Sequence, residues 1–396
     1  MRAPAASPHA STWSLVLVAL CFGLGQNVVK PIIAPQAVAL GGDAVTAGIV
    51  VAAQGLGGLL TAIPTGNLLG RLGGRVIVGA GAAVFTLGAA LMVVAADPVP
   101  LAVGHFLLGA GGVGAWLAAQ TLATIATSDA ASRRKIARVS TAALAGMLGG
   151  PPIGGLLTDY VGVTAAFAAS LVAGVLLLPL ALFLPRGTRA DLAATPAKRL
   201  PDGGRAARLF ATHLWRRHGV LAALVTSSTA QALLTIRQSF LPLHLEGGGW
   251  SSTQIGTVLS LAGVGALAAR SAFAVLDQRF RASTLMTMCT VPGAVALGTS
   301  ASSYTGVVVV VSVLVSGFAL GLSQPLTLLM LARVTSESER GMAVGQRVAG
   351  NRLTQAVVPA IFGLLAGWLG LLAGFWVIVV ACIAGDFAAR LRRTAT

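Results

Sequence analysis

Of 396 residues, 56% are hydrophobic, 10% are charged and 50 are glycine. A water-soluble chain of this size carries roughly a quarter charged residues, so too little charge is present to cover a soluble surface, and the chain is expected to be solvated largely by lipid. The formal net charge of +16 does not point to nucleic acid, because Lys and Arg sit in short breaks between apolar stretches and do not cluster on one face with aromatics for base stacking.

A hydrocarbon core of about 30 Å needs roughly 20 helical residues to cross it. Twelve stretches reach that length, near 13–40, 46–69, 76–96, 100–126, 139–159, 163–185, 219–243, 253–276, 283–300, 304–332, 342–367 and 370–390. The chain therefore reads as an all-α membrane protein of twelve transmembrane helices. The first stretch is too long for a cleaved leader and lacks an A-x-A site, so it is expected to be retained. Cys21, Cys289 and Cys382 each fall within an apolar stretch and read as small buried hydrophobes, with no disulfide framework.

The breaks alternate. Those after stretches 1, 3, 5, 7, 9 and 11, such as 41–45 and 246–252, hold no Lys or Arg. The others hold Arg71 and Arg75; Arg133, Arg134, Lys135 and Arg138; Arg279 and Arg281; Arg333, Arg340 and Arg347. Arg2, Arg390, Arg392 and Arg393 sit at the termini. This predicts a multi-pass protein of the cell inner membrane with both termini cytoplasmic. The longest break, 186–218, carries eight basic residues and separates residues 1–185 from 219–396, six spans in each. Two readings stand for its second part, 205–217: an amphipathic helix on the anionic leaflet, or a plain basic linker.

The halves repeat. At an offset of 208, Gly48 pairs with Gly256, Gly55 with Gly263, Gly57 with Gly265, Leu68 with Leu276, Arg71 with Arg279, Gly109 with Gly317, Pro151 with Pro359 and Gly155 with Gly363. One offset held through five spans predicts two six-helix bundles related by a pseudo-twofold along the membrane normal, with a site between them.

Two motifs carry a family resemblance. Between spans 2 and 3 the chain reads Gly66-Asn-Leu68-Leu-Gly70-Arg71-Leu-Gly73-Gly74-Arg75, which resembles the major facilitator signature Gly-x-Leu-x-Asp-Arg-x-Gly-Arg-Arg at Gly66, Leu68, Arg71, Gly73 and Arg75. The family aspartate, which the resemblance makes part of a latch for the outward-facing state, is Gly70 here. The second-half copy, Leu276-Asp277-Gln278-Arg279, keeps an acid one place away. In span 5, Gly146, Gly150, Pro151, Gly154 and Gly155 match the Gly-x-x-x-Gly-Pro-x-x-Gly-Gly motif of the antiporter branches, against the plainer reading of a glycine-rich packing face. His105-x-x-x-Gly109 in span 4 echoes the family's Arg-x-x-x-Gly. The resemblance covers essentially the whole chain. It implies the two-bundle fold, alternating access and proton-coupled efflux of a small molecule, of the multidrug-resistance type.

Ionisable groups inside spans are functional candidates because burying them is costly. Lys30, Arg237, Arg270 and Arg352 lie within predicted spans, and no carboxylate occupies the middle of the first six. Lys30 and Arg237 face each other across the cavity if the fold is as resembled, which suits an anionic substrate; snorkelling is the competing reading, and the stronger one for Arg270. Gln26, Asn27, Gln54, Gln120, Gln231, Gln324, Asn351 and Gln355 complete the candidate lining, each weighed against a role as interhelical glue. Pro31, Pro35 and Pro325 are expected to break helices. His105 is the candidate proton-coupling residue, against a structural role. No Walker loop, H-E-x-x-H or catalytic carboxylate pair is present, so no enzyme, metal or cofactor is expected. The partners expected are a small-molecule substrate, protons and lipid, with no nucleic acid, and the protein is expected to work as a monomer. An organic-anion importer or facilitator on the same fold, or a membrane sensor without flux, are the alternatives.

Overall fold

A computed structural model of the chain describes residues 8–124, 129–184 and 217–391. Its helices are α1 (Pro8–Val29), α2 (Ile33–Ala39), α3 (Ala44–Leu72), α4 (Gly74–Val93), α5 (Pro98–Thr124), α6 (Asp129–Tyr160) and α7 (Val163–Leu182), then α8 (His218–Gly247), α9 (Ser252–Arg279), α10 (Ala282–Ala301), α11 (Gly306–Gly321), α12 (Ser323–Val334), α13 (Glu337–Leu369) and α14 (Leu371–Leu391). Among the described residues, eleven passages are long and apolar enough to cross a membrane. The twelfth expected span, 139–159, falls in α6, where Gly, Pro, Ser and Thr dilute the apolar content. Trp13, Val307 and Trp368 project from the bundle surface, as lipid-facing side chains do.

Side chains cap the starts of α3 and α9. Asp43 caps α3, its Oδ1 accepting from the amide and hydroxyl of Thr46 at 2.8 Å each. Those bonds hold its carboxyl below the usual carboxylate range. At α9, the Gln254 amide donates to Ser251 Oγ at 3.2 Å and the Ser251 amide to Gln254 Oε1 at 3.0 Å, a reciprocal capping box. Gly73 ends α3 with φ of 83°, a left-handed conformation that disfavours a side chain.

The expected breaks are present. Span 1 divides at 30–32, where Pro31 and Pro35 supply no amide hydrogen, and span 10 divides at Leu322, just before Pro325. Two expectations are corrected. Arg134, Lys135 and Arg138, read as loop residues, lie within α6, and Arg347, also read as part of a basic break, lies well inside α13. Helices continue past the hydrocarbon because their backbone bonds are satisfied internally, so charge marks where the membrane ends and not where the helix ends. The linker 186–218, apart from 217–218, lies outside the described residues.

Within the first half α4 packs on α5 and α7, α3 on α5, and α1 on α6 and α7; within the second, α11 packs on α9 and α10, and α8 on α13. The halves meet where α3 lies on α13 and α6 on α9. A Cβ added to Gly48 would stand 2.6 Å from Pro359 O, and one on Gly256 2.2 Å from Pro151 O; one on Gly363 would stand 2.6 Å from Ala44 O, and one on Gly155 2.2 Å from Ser252 O. Each pair of contacts maps onto its mate at the 208-residue offset. The repeat pairs Gly57/Gly265 and Gly109/Gly317 behave alike inside each half, meeting the carbonyls of Phe106/Leu314 and Gln54/Ala262. At these pairs the sequence repeat is a repeat of backbone approaches that only glycine allows, whereas Gly55 meets the Gln355 backbone and its mate Gly263 meets the Leu148 side chain.

Both seams lie at the end of the bundle away from the arginine-bearing turns. Ser260 Oγ donates to Leu148 O across the α6–α9 seam at 2.6 Å, and the Asp159 carboxylate accepts from the Ser252 and Thr253 amides at 3.0 and 2.8 Å. One half therefore caps a helix of the other.

Candidate functional site

Beneath the seams lies a cavity of about 270 Å³. This is close to the lower bound of pockets that take small organic ligands. Its walls come from both halves but unequally. The first half supplies Asn27, Lys30, Pro31, Met147, Leu148 and Pro151; the second supplies Ser227, Gln231, Arg237, Gln238, Arg270, Ser323, Gln324, Arg347 and Asn351 with apolar neighbours. Both helix breaks open onto it.

Four of these lining residues are cations and none is an acid. Arg237 is 4% exposed; its Nη1 donates to the buried Ser316 hydroxyl, while its Nε has no partner. The Nε of Arg347 donates to Thr327 Oγ1 at 2.8 Å, and Arg270 Nη2 donates to Gln324 Oε1 at 3.0 Å. The ion pairs Arg217–Glu339 and Arg333–Asp277, both 2.8 Å, lie outside the cavity, and none of its four cations has a carboxylate partner among the described residues. A guanidinium has five N–H donors, so each of these three arginines keeps donors to spare. Arg270 is exposed and Lys30 half-buried, whereas Arg237 and Arg347 are buried, and buried, unneutralised cations are strongly disfavoured in an apolar medium. The cavity lowers that cost when it holds an anion.

The neutral groups are partly committed. Asn27 Nδ2 donates to Gly23 O at 2.7 Å, leaving its carbonyl oxygen available. Ser227 donates to Asn351 Oδ1 at 2.9 Å, and Gln231 Nε2 to Thr235 Oγ1 at 3.1 Å.

Of the residues singled out in the sequence, the cavity brings together Asn27, Lys30, Gln231, Arg237, Gln324 and Asn351, with Arg270. It leaves out the rest. Arg352 donates to Gln355 Oε1 at 2.9 Å beside the α3–α13 seam, where Gly55 and Gly58 approach this pair. Gln26 packs on Gly112 of α5, Gln54 lies under Gly109 with its Nε2 buried and unpartnered, and Gln120 is exposed. These departures follow from helix rotation, which an isolated amide does not reveal. Arg347, Gln238 and Ser323 were missed. Position was the available signal for Arg347, five residues inside the predicted span 342–367.

His105 is 1% exposed and lies outside the lining. Its Nδ1 is 2.8 Å from Val50 O. A carbonyl only accepts, so Nδ1 carries the hydrogen and Nε2 presents a bare lone pair, which has no partner. A buried acid–hydroxyl group, not singled out in the sequence, lies away from the cavity: Asp386 of α14 accepts from Thr226 at 3.3 Å and Thr290 at 2.8 Å.

The motif residues divide by task. Gly146, Gly150 and Gly154, at four-residue spacing, would place a Cβ 2.6, 2.8 and 2.2 Å from the α1 backbone, whereas Gly155 and the Pro151 carbonyl face α9. The span-5 motif is therefore a two-sided packing plate between its own half and the other. In the turn motif, Gly66 stands in open space, Gly73 makes the left-handed corner, and Arg71 is exposed with Arg75 half-buried. Removing the cross-half cap by Asp159→Ala is expected to cost about 1 kcal/mol of seam stability. Labelling of a Gln238→Cys reporter by a membrane-impermeant maleimide, added on the seam side, should rise roughly fivefold; an unchanged rate would show the cap to be idle.

A family model described as Major Facilitator Superfamily matches residues 15–247 and 235–395. No curated protein matches the sequence. Among solved structures the chain is similar to the nucleoside transporter NupG (TM-score 0.77, 13% identity, 96% of this chain and 98% of that chain). It is also similar to a bacterial homologue of the human lysosomal transporter Spinster in an inward-facing, unoccupied conformation (0.75, 14%, 97% and 98%). A D-xylose–proton symporter matches as well (0.71, 18%, 96% and 96%). At these identities the likeness concerns the fold.

Proposed function

The chain belongs to the Major Facilitator Superfamily, and from that premise we propose that it is a proton-coupled secondary transporter of a small organic anion. It works as a monomer in the inner membrane, with both termini and the arginine-bearing turns cytoplasmic. The observation that carries the anion reading is the lining itself: Lys30, Arg237, Arg270 and Arg347 with no carboxylate. Lys30 and Arg237, joined by Asn27 and Gln231, hold the substrate between the halves. With the seams at the periplasmic end, the arrangement seen is the one that loads from or unloads to the cytoplasm. Rocking about the α3–α13 and α6–α9 contacts exchanges it for the opposite arrangement.

Efflux by proton antiport is the direction supported by the complete span-5 motif. His105 Nε2, an uncommitted acceptor, is the proton site. Import of an organic anion is the second reading, and the absence of a carboxylate from the cavity lining among the described residues favours it. Counterflow in right-side-out and inside-out vesicles separates the two directions.

For the substrate class, Arg237→Gln is expected to lower transport of an anionic substrate tenfold or more, the worth of one charge-assisted hydrogen bond, and that of a neutral analogue less than twofold. Equal losses would overturn the anion reading. In a thermal-shift screen of the purified protein, anionic metabolites are expected to raise the melting temperature and cationic drugs to leave it unmoved.

A further inference from the structure

The four cavity cations stand at two depths. At 1.5 Å per residue, Arg237 is about 28 Å along α8 from its arginine-bearing end, and Lys30 lies past the end of α1, about 33 Å along. On the same measure Arg347 is about 15 Å along α13, Arg270 about 14 Å along α9 and Gln324 about 15 Å along α12 from that end. One carboxylate or phosphate group does not reach both levels.

The two levels also differ in ownership. The deep pair bridges the halves, Lys30 from the first and Arg237 from the second. The shallow group, on α9, α12 and α13, belongs to the second half alone. Arg347 is 8% exposed and held through Nε by Thr327, while Arg270 and the Gln324 that holds it are exposed. Each arginine keeps further N–H donors, and both line the same chamber as the deep pair.

Resting on the anion reading above, we propose that Arg270, Ser323, Gln324 and Arg347 form a second anion subsite, a loading station that binds a carboxylate or phosphate group of a free small anion before it reaches Lys30 and Arg237. An anion held by one half alone does not draw the halves together, so occupancy here leaves the chamber open. Transfer to the deep pair bridges the halves and permits rocking. The field of the shallow pair raises the local concentration of anions at the mouth, an effect that added salt screens.

The test is equilibrium binding of radiolabelled phthalate, a rigid organic dianion, to the intact protein in phosphatidylcholine nanodiscs. Two phases approaching two anions per chain are expected. Arg270→Gln with Arg347→Gln should remove the weaker phase and move the tighter one less than twofold; Lys30→Met with Arg237→Gln should remove the tighter phase and keep the weaker, which also shows that the fold survives. A single phase in the unaltered protein overturns the second subsite. So does a tenfold loss of the tight phase in the shallow double variant, which makes the four cations one site. Loss of the weak phase when phosphatidylglycerol replaces half the lipid assigns the shallow group to a lipid headgroup and overturns the loading role. No phthalate binding in any phase, with inorganic phosphate equally silent, rejects the anion reading beneath it.

Discussion

Lys30→Met is expected to reduce flux at saturating substrate roughly a hundredfold while weakening anion binding only about tenfold. The tenfold is the low end of what one charged hydrogen-bond donor contributes, about 1.5–3 kcal/mol, because several other donors remain in the chamber. The larger loss in flux follows from where Lys30 stands. Arg237, Arg270 and Arg347 all belong to the second half, and among the described residues Lys30 is the one charged group that the first half places in the lining. Without it an anion still binds, but to one half, and its binding energy no longer favours the state in which both halves close around it; a ligand shifts a conformational equilibrium only by its differential affinity for the two states. Lys30→Arg should recover much of the flux. Binding and saturated flux that fall in equal proportion would show that Lys30 contributes affinity alone.

The second large effect is steric. Gly256→Val is expected to cut transport more than tenfold and to raise maleimide labelling of a Gln238→Cys reporter from the seam side. A Cβ at Gly256 would lie 2.2 Å from Pro151 O, 2.7 Å from Pro151 C and 3.1 Å from Pro152 Cα. These are backbone atoms, so no side chain can turn aside, and overpacking of this kind costs about 1–3 kcal/mol. That cost falls on the seam-closed arrangement alone. Gly48→Val, the mate across the pseudo-twofold, should act in the same direction through Pro359 O at 2.6 Å. Gly306→Val, where a Cβ would meet nothing within 4 Å, should change transport less than twofold. If the Gly256 and Gly48 variants transport normally, the seams are not moving contacts.

The breaks at Pro31 and before Pro325 were legible because proline lacks an amide hydrogen whatever surrounds it. The span-5 glycines were legible as a motif, though not their division between α1 and α9. Lys30 and Arg237 were legible as candidates because charge within an apolar stretch is rare. Gln54, Gln120 and Gln355 were indistinguishable in sequence from Gln231, because polarity says that a residue needs a partner without saying on which side of the helix the partner lies. Asp386 falls near the end of the predicted span 370–390, and its burial between Thr226 and Thr290 depends on the packing of three helices.

By itself, then, the order of residues determined a lipid-solvated bundle of long helices, its duplication at an offset of 208, and which ends of those helices carry arginine. These follow from hydrophobic length, charge placement and glycine spacing, quantities summed along one dimension. The tertiary structure alone decided that the duplicated glycines meet one another's carbonyls across two seams, that Arg347 turns into the chamber while Arg352 turns toward a seam, and that one half supplies three of the four cations. The reason is geometrical: successive residues on a helix point about 100° apart, so neighbours in sequence face different partners, and only the packed helices say which face looks inward.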